Sequence, residues 1–289
     1  MTSENRPVED LTDSAATPRV AVVTGASSGI GLAAAIELGR QGWTVALLGR
    51  NADRLATAVN KVRAVSAVPP QSYRCDFGSL AAVRDLAGTL RGRYPTIDVL
   101  ANNAGGNVPM RRSTVDGFEE TIQGNHLAHF LLSNELREQL RGGRIINTSS
   151  MVHVQGRLDP NDLNGDGQPY RTMQAYGNSK QANILFTVEA TKRWPDILST
   201  AFHPGVVRTR FGHDSPLYAF FYRFAPGLRS PQRGAQTLVW LATVDRAQLT
   251  PGGYYVDERL RRADPKATDA GLAAALWDAS AKAVGVGSM

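Results

Sequence analysis

Thr24-Gly25-Ala26-Ser27-Ser28-Gly29-Ile30-Gly31 follows directly on the apolar run Val20-Ala21-Val22-Val23. A buried strand feeding a glycine turn that opens a helix is a phosphate-binding arrangement: glycines admit close backbone approach, and free N–H groups at a helix start attract an anion. The same letters, Gly25 to Gly29, also spell Gly-x-Ser-x-Gly, the strained elbow of serine hydrolases. Position separates the two readings. A nucleophile elbow lies well inside an α/β-hydrolase chain with its acid and His following, whereas this turn ends the first strand and continues through Gly31.

Outward from the turn, short apolar runs alternate with amphipathic stretches. Strands are predicted at Val20–Thr24, Thr44–Gly49, Gln71–Cys75, Ile97–Asn102, Arg144–Ser149, Leu198–His203 and Tyr254–Val256. Helices are predicted at Gly29–Gln41, Ala52–Ser66, Leu80–Arg93, Gly117–Leu140, Met173–Trp194 and Gln232–Val244. Such alternation implies right-handed βαβ units, hence a single-domain α/β Rossmann fold: a doubly wound parallel sheet of about seven strands with helices on both faces. Residues 1–18 read as a flexible tail and 19–289 as one domain. Asp159–Pro169 is a polar loop. Residues 205–231 follow the Leu198–His203 strand and read as a loop or lid on the substrate side, while the aromatic run Leu217–Phe224 within them suits a substrate cap, core packing or a contact with another surface equally well.

Composition narrows the classes. The chain has 289 residues, 42% hydrophobic and 20% charged, as in ordinary globular proteins. Its single cysteine, Cys75, excludes an intramolecular disulfide framework. No apolar run reaches the roughly 20 residues of a membrane span, and the N-terminus lacks a secretory pattern, so a cytoplasmic protein without stable membrane insertion is expected. Lys and Arg exceed Asp and Glu by 32 to 26, a net charge of +6. The charges are scattered except at Arg259-Leu260-Arg261-Arg262, and no nucleic-acid-reading motif accompanies them. The five histidines show no metal-ligand spacing. Asp162-Leu163-Asn164-Gly165-Asp166-Gly167 begins like a calcium loop, but Met173 stands where the bidentate Glu belongs.

Tyr176 and Lys180 share a helical face, four residues apart. A phenol with a pKa of about 10 is a poor acid–base catalyst at neutral pH, and a nearby ammonium favours its phenolate. Together with the glycine turn, Asn102-Asn103-Ala104-Gly105, Asn125 and Asn147-Thr148-Ser149-Ser150, this pair makes the chain resemble the short-chain dehydrogenase/reductase family over nearly everything after Val20. Gly124–Leu132, Ser179–Thr187, His203–Thr209, Gly253-Tyr254-Tyr255 and Leu276–Ser280 are similar to its retinol-dehydrogenase and WW-domain-oxidoreductase branch. The stretch from Ser150 to Tyr176 is longer than the common family pattern, as it is in that branch.

The resemblance implies an oxidoreductase moving a hydride between a nicotinamide and a carbonyl or alcohol carbon of a lipophilic or aromatic small molecule. Tyr176 would be the general acid or base, Lys180 would lower its pKa and hold the nicotinamide ribose, and Ser150, second of its pair, would hold the substrate oxygen, with Ser149 as the alternative. Asn125 would anchor a relay water. Gly25, Ser27, Ser28, Gly29, Ile30 and Gly31 would wrap the phosphates, and Asn102, Asn103, Ala104 and Gly105 would line the cofactor. Asp76 and Phe77 would sit near the adenine, and Pro204, Gly205, Val206, Val207 and Thr209 near the carboxamide end. The second strand ends in Gly49, Arg50 and Asn51 without the carboxylate that favours NAD, so NADP(H) is expected. Dimers and tetramers are frequent in the family, with exceptions in this branch, which leaves homodimer and homotetramer open. The rival from another class is a non-catalytic NADP(H)-binding sensor or scaffold.

Overall fold

The computed structural model describes residues 18–207 and 228–287. Strands β1 (Val20–Thr24), β2 (Thr44–Gly49), β3 (Gln71–Arg74), β4 (Val99–Asn102), β5 (Arg144–Thr148), β6 (Leu198–His203) and β7 (Tyr254–Val256) form one parallel sheet. Its order is β3-β2-β1-β4-β5-β6-β7, followed by a short eighth strand, β8 (Arg259–Arg261), antiparallel to β7. The β7–β8 hairpin turns on Asp257 and Glu258, both at positive φ (51° and 62°). Asp-Glu lacks the glycine that usually marks such a turn, which is why the sequence pattern stops one strand short.

Helices α1 (Gly29–Arg40), α2 (Ala52–Arg63), α3 (Leu80–Arg93), α6 (Thr172–Arg193) and α7 (Pro231–Thr243) fall where amphipathic stretches are expected, and α8 (Ala270–Val284) is one that sequence reading did not predict. Local chemistry sets their ends. Asn51, Ser79, Ser230 and Asp269 cap α2, α3, α7 and α8 by accepting a backbone N–H from the first turn, each worth about 1 kcal/mol. Residues 117–140 do not make one helix. They divide into α4 (Glu120–Ile122), a π-helical turn (Gln123–Leu127) and α5 (Ala128–Glu135).

Alternation along each strand sends side chains to two cores. Val22, Leu100 and Ile145 meet Leu86, Leu131 and Phe186 on one face, while Ala21, Val23, Val45 and Ile146 meet Leu38 and Leu238 on the other. Trp277 of α8 stands 4.9 Å from Phe130, 5.6 Å from Phe186 and 4.8 Å from Trp194, which fixes α8 against α5 and α6. No described helix is long and apolar enough to cross a membrane.

The strand order reverses between β1 and β4, and such a switch point leaves a crevice past the carboxyl ends of the two strands. The glycine turn and the Asn103–Gly105 segment leave β1 and β4 at that point.

Candidate active site

Gly25 and Gly29 take positive φ (68° and 58°), the left-handed region that glycine enters without strain. Gly31 answers a different need. A Cβ there would lie 2.6 Å from both Asn103 Nδ2 and the Gly25 carbonyl oxygen. A Cβ on Gly49 would approach Ser27 Cβ to 3.1 Å, so the end of β2 also makes room for the turn. Ser28 precedes α1 in extended conformation and makes no side-chain cap, and no acidic residue occupies the first turn. The first N–H groups of α1 are thus left for an anion at the positive end of the helix, which fits a dinucleotide pyrophosphate.

Thr24 holds the facing wall. Its Oγ1 accepts the N–H groups of Asn103 and Ala104, each at 2.8 Å, and Asn103 Nδ2 donates to the Thr24 carbonyl at 2.9 Å. His129 Nδ1 donates to the Asn125 carbonyl at 3.1 Å and its Nε2 lies 3.0 Å from Thr24 Oγ1. Burial drives the His129 pKa down to about 3, so the ring is neutral and its Nε2 accepts. Thr24 opens the glycine-turn stretch and His129 lies within Gly124–Leu132, but the sequence assigns neither of them a role. Asn102 departs from expectation: its Nδ2 donates to Asn147 Oδ1 (2.9 Å) and Ser133 Oγ (3.1 Å) inside the sheet, so it supports the wall and does not line the crevice.

Asn103 and Ala104 lie against Gly25 of the turn, and Gly105 lies against Asn125 and Lys180. A Cβ on Gly105 would meet Asn125 Oδ1 at 2.7 Å and Lys180 Nζ at 3.5 Å. The Asn125 side chain, in the π-turn, accepts from Gly106 N–H (2.9 Å) and donates to the Gly106 carbonyl (2.8 Å) and Ser179 Oγ (2.9 Å). With those bonds made, anchoring of a water would fall to the Asn125 backbone carbonyl, which has a second lone pair beyond the His129 bond. His126 in the same turn reaches Ser280 Oγ of α8 at 2.9 Å, so the C-terminal helix supports the turn.

Burial separates the two serines of the pair. Ser149 is 1% exposed and donates to the Lys180 carbonyl at 2.8 Å. Ser150 is half-buried and caps a 3₁₀ turn (Met151–Gln155), its Oγ accepting the Val152 N–H at 3.3 Å. That turn packs on α6 at Gly177, where a Cβ would lie 3.1 Å from the Val152 carbonyl oxygen. Gly177, next to Tyr176, thus brings the serine turn onto the helix of Tyr176 and Lys180. An isolated glycine inside a helical pattern is the one sequence signal of that contact.

Lys180 is 3% exposed, its Nζ 5.4 Å from the Tyr176 ring centroid and donating to the Thr148 carbonyl at 3.1 Å. Burial pulls its pKa down to about 8. An ammonium has three N–H donors, and the one directed to Thr148 leaves the group able to grip a ribose hydroxyl.

At the ends of β2 and β3, Arg50 is exposed and the Arg74 guanidinium donates from Nε to the Arg50 carbonyl at 3.1 Å. Asn51 spends its Oδ1 on the Arg54 N–H as the α2 cap. Asp76 is exposed and accepts the Gly78 N–H (3.0 Å), while Phe77 packs edge-on to His129 at 4.9 Å. After β6, Gly205 (φ 83°) admits the Arg229 side chain, and a Cβ on Gly234 of α7 would touch both Val207 and Ile30. That contact brings the Pro204–Val207 segment beside the start of α1. Thr209, the Leu217–Phe224 run and most of the expected 205–231 lid lie outside the described residues. Asp162 turns its carboxylate to the N–H groups of Asp166 and Gly167, both at 2.9 Å, so it serves its own loop.

The family profile of short chain dehydrogenases matches residues 19–216. A protein of Streptomyces sp. (strain C5), provisionally named a daunorubicin C-13 ketoreductase, is 54% identical over 267 residues, covering 92% of this chain and 93% of the relative. Retinol dehydrogenase 13 of Mus musculus is 35% identical over 281 residues, 93% of this chain and 84% of the relative. An uncharacterised protein of Mycobacterium paratuberculosis superposes with a TM-score of 0.76 at 32% identity, over 93% of this chain and 94% of that one. An alcohol dehydrogenase of Thermococcus sibiricus, solved with 5-hydroxy-NADP, superposes with a TM-score of 0.63 at 25% identity, over 81% of this chain and 92% of that one.

Proposed function

The chain belongs to the short-chain dehydrogenase family, an oxidoreductase of carbonyl and alcohol groups, and on that premise we propose that it is an NADP(H)-dependent ketoreductase of lipophilic, aromatic ketones. The observation that carries the reading is the convergence of the Ser150 turn, Tyr176 and the buried Lys180 on one crevice beside an uncapped helix start.

Bound NADP(H) supplies the hydride in reduction and takes it up in oxidation. The chain's own residues do the rest. Ser150 accepts the Val152 N–H at Oγ, which leaves its hydroxyl hydrogen to donate to the substrate oxygen as negative charge develops there. Tyr176 delivers a proton to that oxygen in reduction and removes it in oxidation. The Lys180 charge, held in a low-dielectric setting, stabilises the phenolate that results. Asn103 and Gly105 shape the wall against which the nicotinamide half would rest.

NADP(H) over NAD(H) is supported by the missing carboxylate after β2 and by Arg50, with Arg74 on its carbonyl, at the rim where an adenosine 2′-phosphate would lie. An apolar substrate is supported by Met151, Val154 and Val206, hydrophobic side chains that stand 57%, 55% and 47% exposed past the ends of β5 and β6. The Streptomyces relative's name points to a ketone borne on a polycyclic aromatic.

The test is NADPH consumption with a panel of daunorubicin, phenanthrenequinone and aryl methyl ketones. Tyr176→Phe is expected to bind NADPH like the wild type and to lose at least about a hundredfold in turnover. Full turnover in that variant overturns the mechanism. NADPH binding with no turnover across the panel would favour the non-catalytic sensor.

A further inference from the structure

Two imidazoles meet one peptide unit at Ser150. The peptide joining Ser150 to Met151 places its carbonyl oxygen 2.7 Å from His153 Nδ1 and its N–H 3.3 Å from His203 Nδ1. A carbonyl oxygen can only accept, so His153 Nδ1 carries a hydrogen. A peptide N–H can only donate, so His203 Nδ1 carries none. The Asp264 N–H donates to His153 Nε2 at 3.0 Å, which fixes that ring as neutral. The two histidines therefore stand in opposite tautomers, one as donor and one as acceptor, and both are buried, at 4% and 7% exposure.

We propose that His153 and His203 are positioning residues that clamp the Ser150–Met151 peptide from opposite sides and so fix the serine hydroxyl for the substrate oxygen. The grip comes from three elements: the 3₁₀ turn, the end of β6, and the segment after β8 that carries Asp264. Rotation of that peptide would set N–H against the donor and C=O against the bare acceptor. With the plane held, the ψ of Ser150 has little freedom, and that torsion relates the Cα–Cβ bond that aims Oγ to the anchored peptide. Neither histidine needs to touch substrate for this.

The surroundings keep both rings neutral. Burial is the first cause for each, taking the His203 pKa down to about 4. The Arg229 charge acts on His203 in the same direction and Asp257 opposes it, while the Ser150 carbonyl and Asp264 oppose the lowering at His153.

The clamp rests on the reading of Ser150 as the group that meets the substrate, so two measurements keep the questions apart. Nitrogen-15 spectra of the histidine-labelled full chain at neutral pH, assigned through single variants, are expected to show His153 as the Nδ1–H and His203 as the Nε2–H tautomer. Equal tautomers, or a charged ring, overturn the clamp whether or not any ketone is turned over. For turnover, His203→Leu removes the acceptor and His203→Asn offers an amide oxygen near the Nδ1 position. With the fastest ketone of the panel, the Leu variant is expected to lose about tenfold or more in kcat while NADPH affinity stays within about twofold, and the Asn variant to recover most of the loss. Wild-type kcat in the Leu variant overturns the positioning role, as does equal loss in both when both melt like the wild type. Unchanged turnover in Ser150→Ala would instead remove the reading of Ser150 and leave the tautomers as measured.

Discussion

Lys180 Nζ lies 5.4 Å from the centre of the Tyr176 ring and donates to the Thr148 carbonyl at 3.1 Å, at a site where the lysine is 3% exposed. The i, i+4 spacing on α6 puts the two on one face, while β5 and Gly105 close over the ammonium. A cation kept out of water in this way raises the free energy of the folded chain, yet it is the charge that the proposed Tyr176 phenolate would need.

The lysine links pH to stability with a definite sign. Burial lowers its folded pKa from 10.5 to about 8. Between those values the unfolded chain binds more protons, so this group's contribution to stability rises with pH through the window and its penalty is complete below about 8. Lys180→Met should therefore gain stability at pH 7, by up to about 3 kcal/mol, in urea unfolding. Asn183 Nδ2 still serves the Thr148 carbonyl in that variant, at 3.0 Å. The gain should shrink as pH rises from 8 to 10.5, and turnover should fall at least about a hundredfold. A variant less stable than the parent at neutral pH would contradict the desolvation argument.

Gly31→Ala would push a methyl to 2.6 Å from Asn103 Nδ2 and the Gly25 carbonyl. Backbone must move on one side, at about 1–3 kcal/mol, and the movement displaces the turn expected to hold phosphate. NADPH titration by fluorescence should show affinity weakened by at least about tenfold. Undiminished affinity would mean that the turn does not hold the cofactor.

Arg50→Ala separates the two nicotinamide cofactors. Loss of a guanidinium–phosphate contact should lower kcat/KM with NADPH about tenfold, or about 1.4 kcal/mol, with little change for NADH. Equal effects on both cofactors would assign Arg50 to the surface.

Thr24→Val keeps the shape of the side chain and removes the oxygen that accepts two N–H groups at 2.8 Å. Leaving Asn103 and Ala104 N–H without that acceptor should destabilise the chain by roughly 1–3 kcal/mol per group, read by thermal or urea unfolding. A neutral substitution would show that the wall stands without it.

Much of this site was legible in the chain because its cues are local. Periodic apolar runs announce β1, β2, β4, β5 and β6, and Gly25, Gly29 and Gly31 announce the turn by spacing alone. Tyr176 and Lys180 need only a helix between them to share a face. The eighth strand was not legible, since Asp257 and Glu258 adopt positive φ without the residues that usually announce it. The π-turn around Asn125 was hidden as well: its i→i+5 pattern is set against α6 and α8, and the sequence there reads as an unbroken helix.

By itself, then, the sequence determined the parallel α/β sheet, the place of the glycine turn and the pairing of phenol with ammonium, all of which follow from backbone periodicity over a few residues. Tertiary structure alone decided that Ser149 is spent on the Lys180 carbonyl while Ser150 stays accessible, that Asn102 faces the sheet interior, and that His153 and His203 meet one peptide from opposite sides. For Ser149, Asn102 and His203 those outcomes depend on which groups burial brings together across 31 to 52 positions of chain. A buried donor or acceptor must find its partner wherever the fold places one.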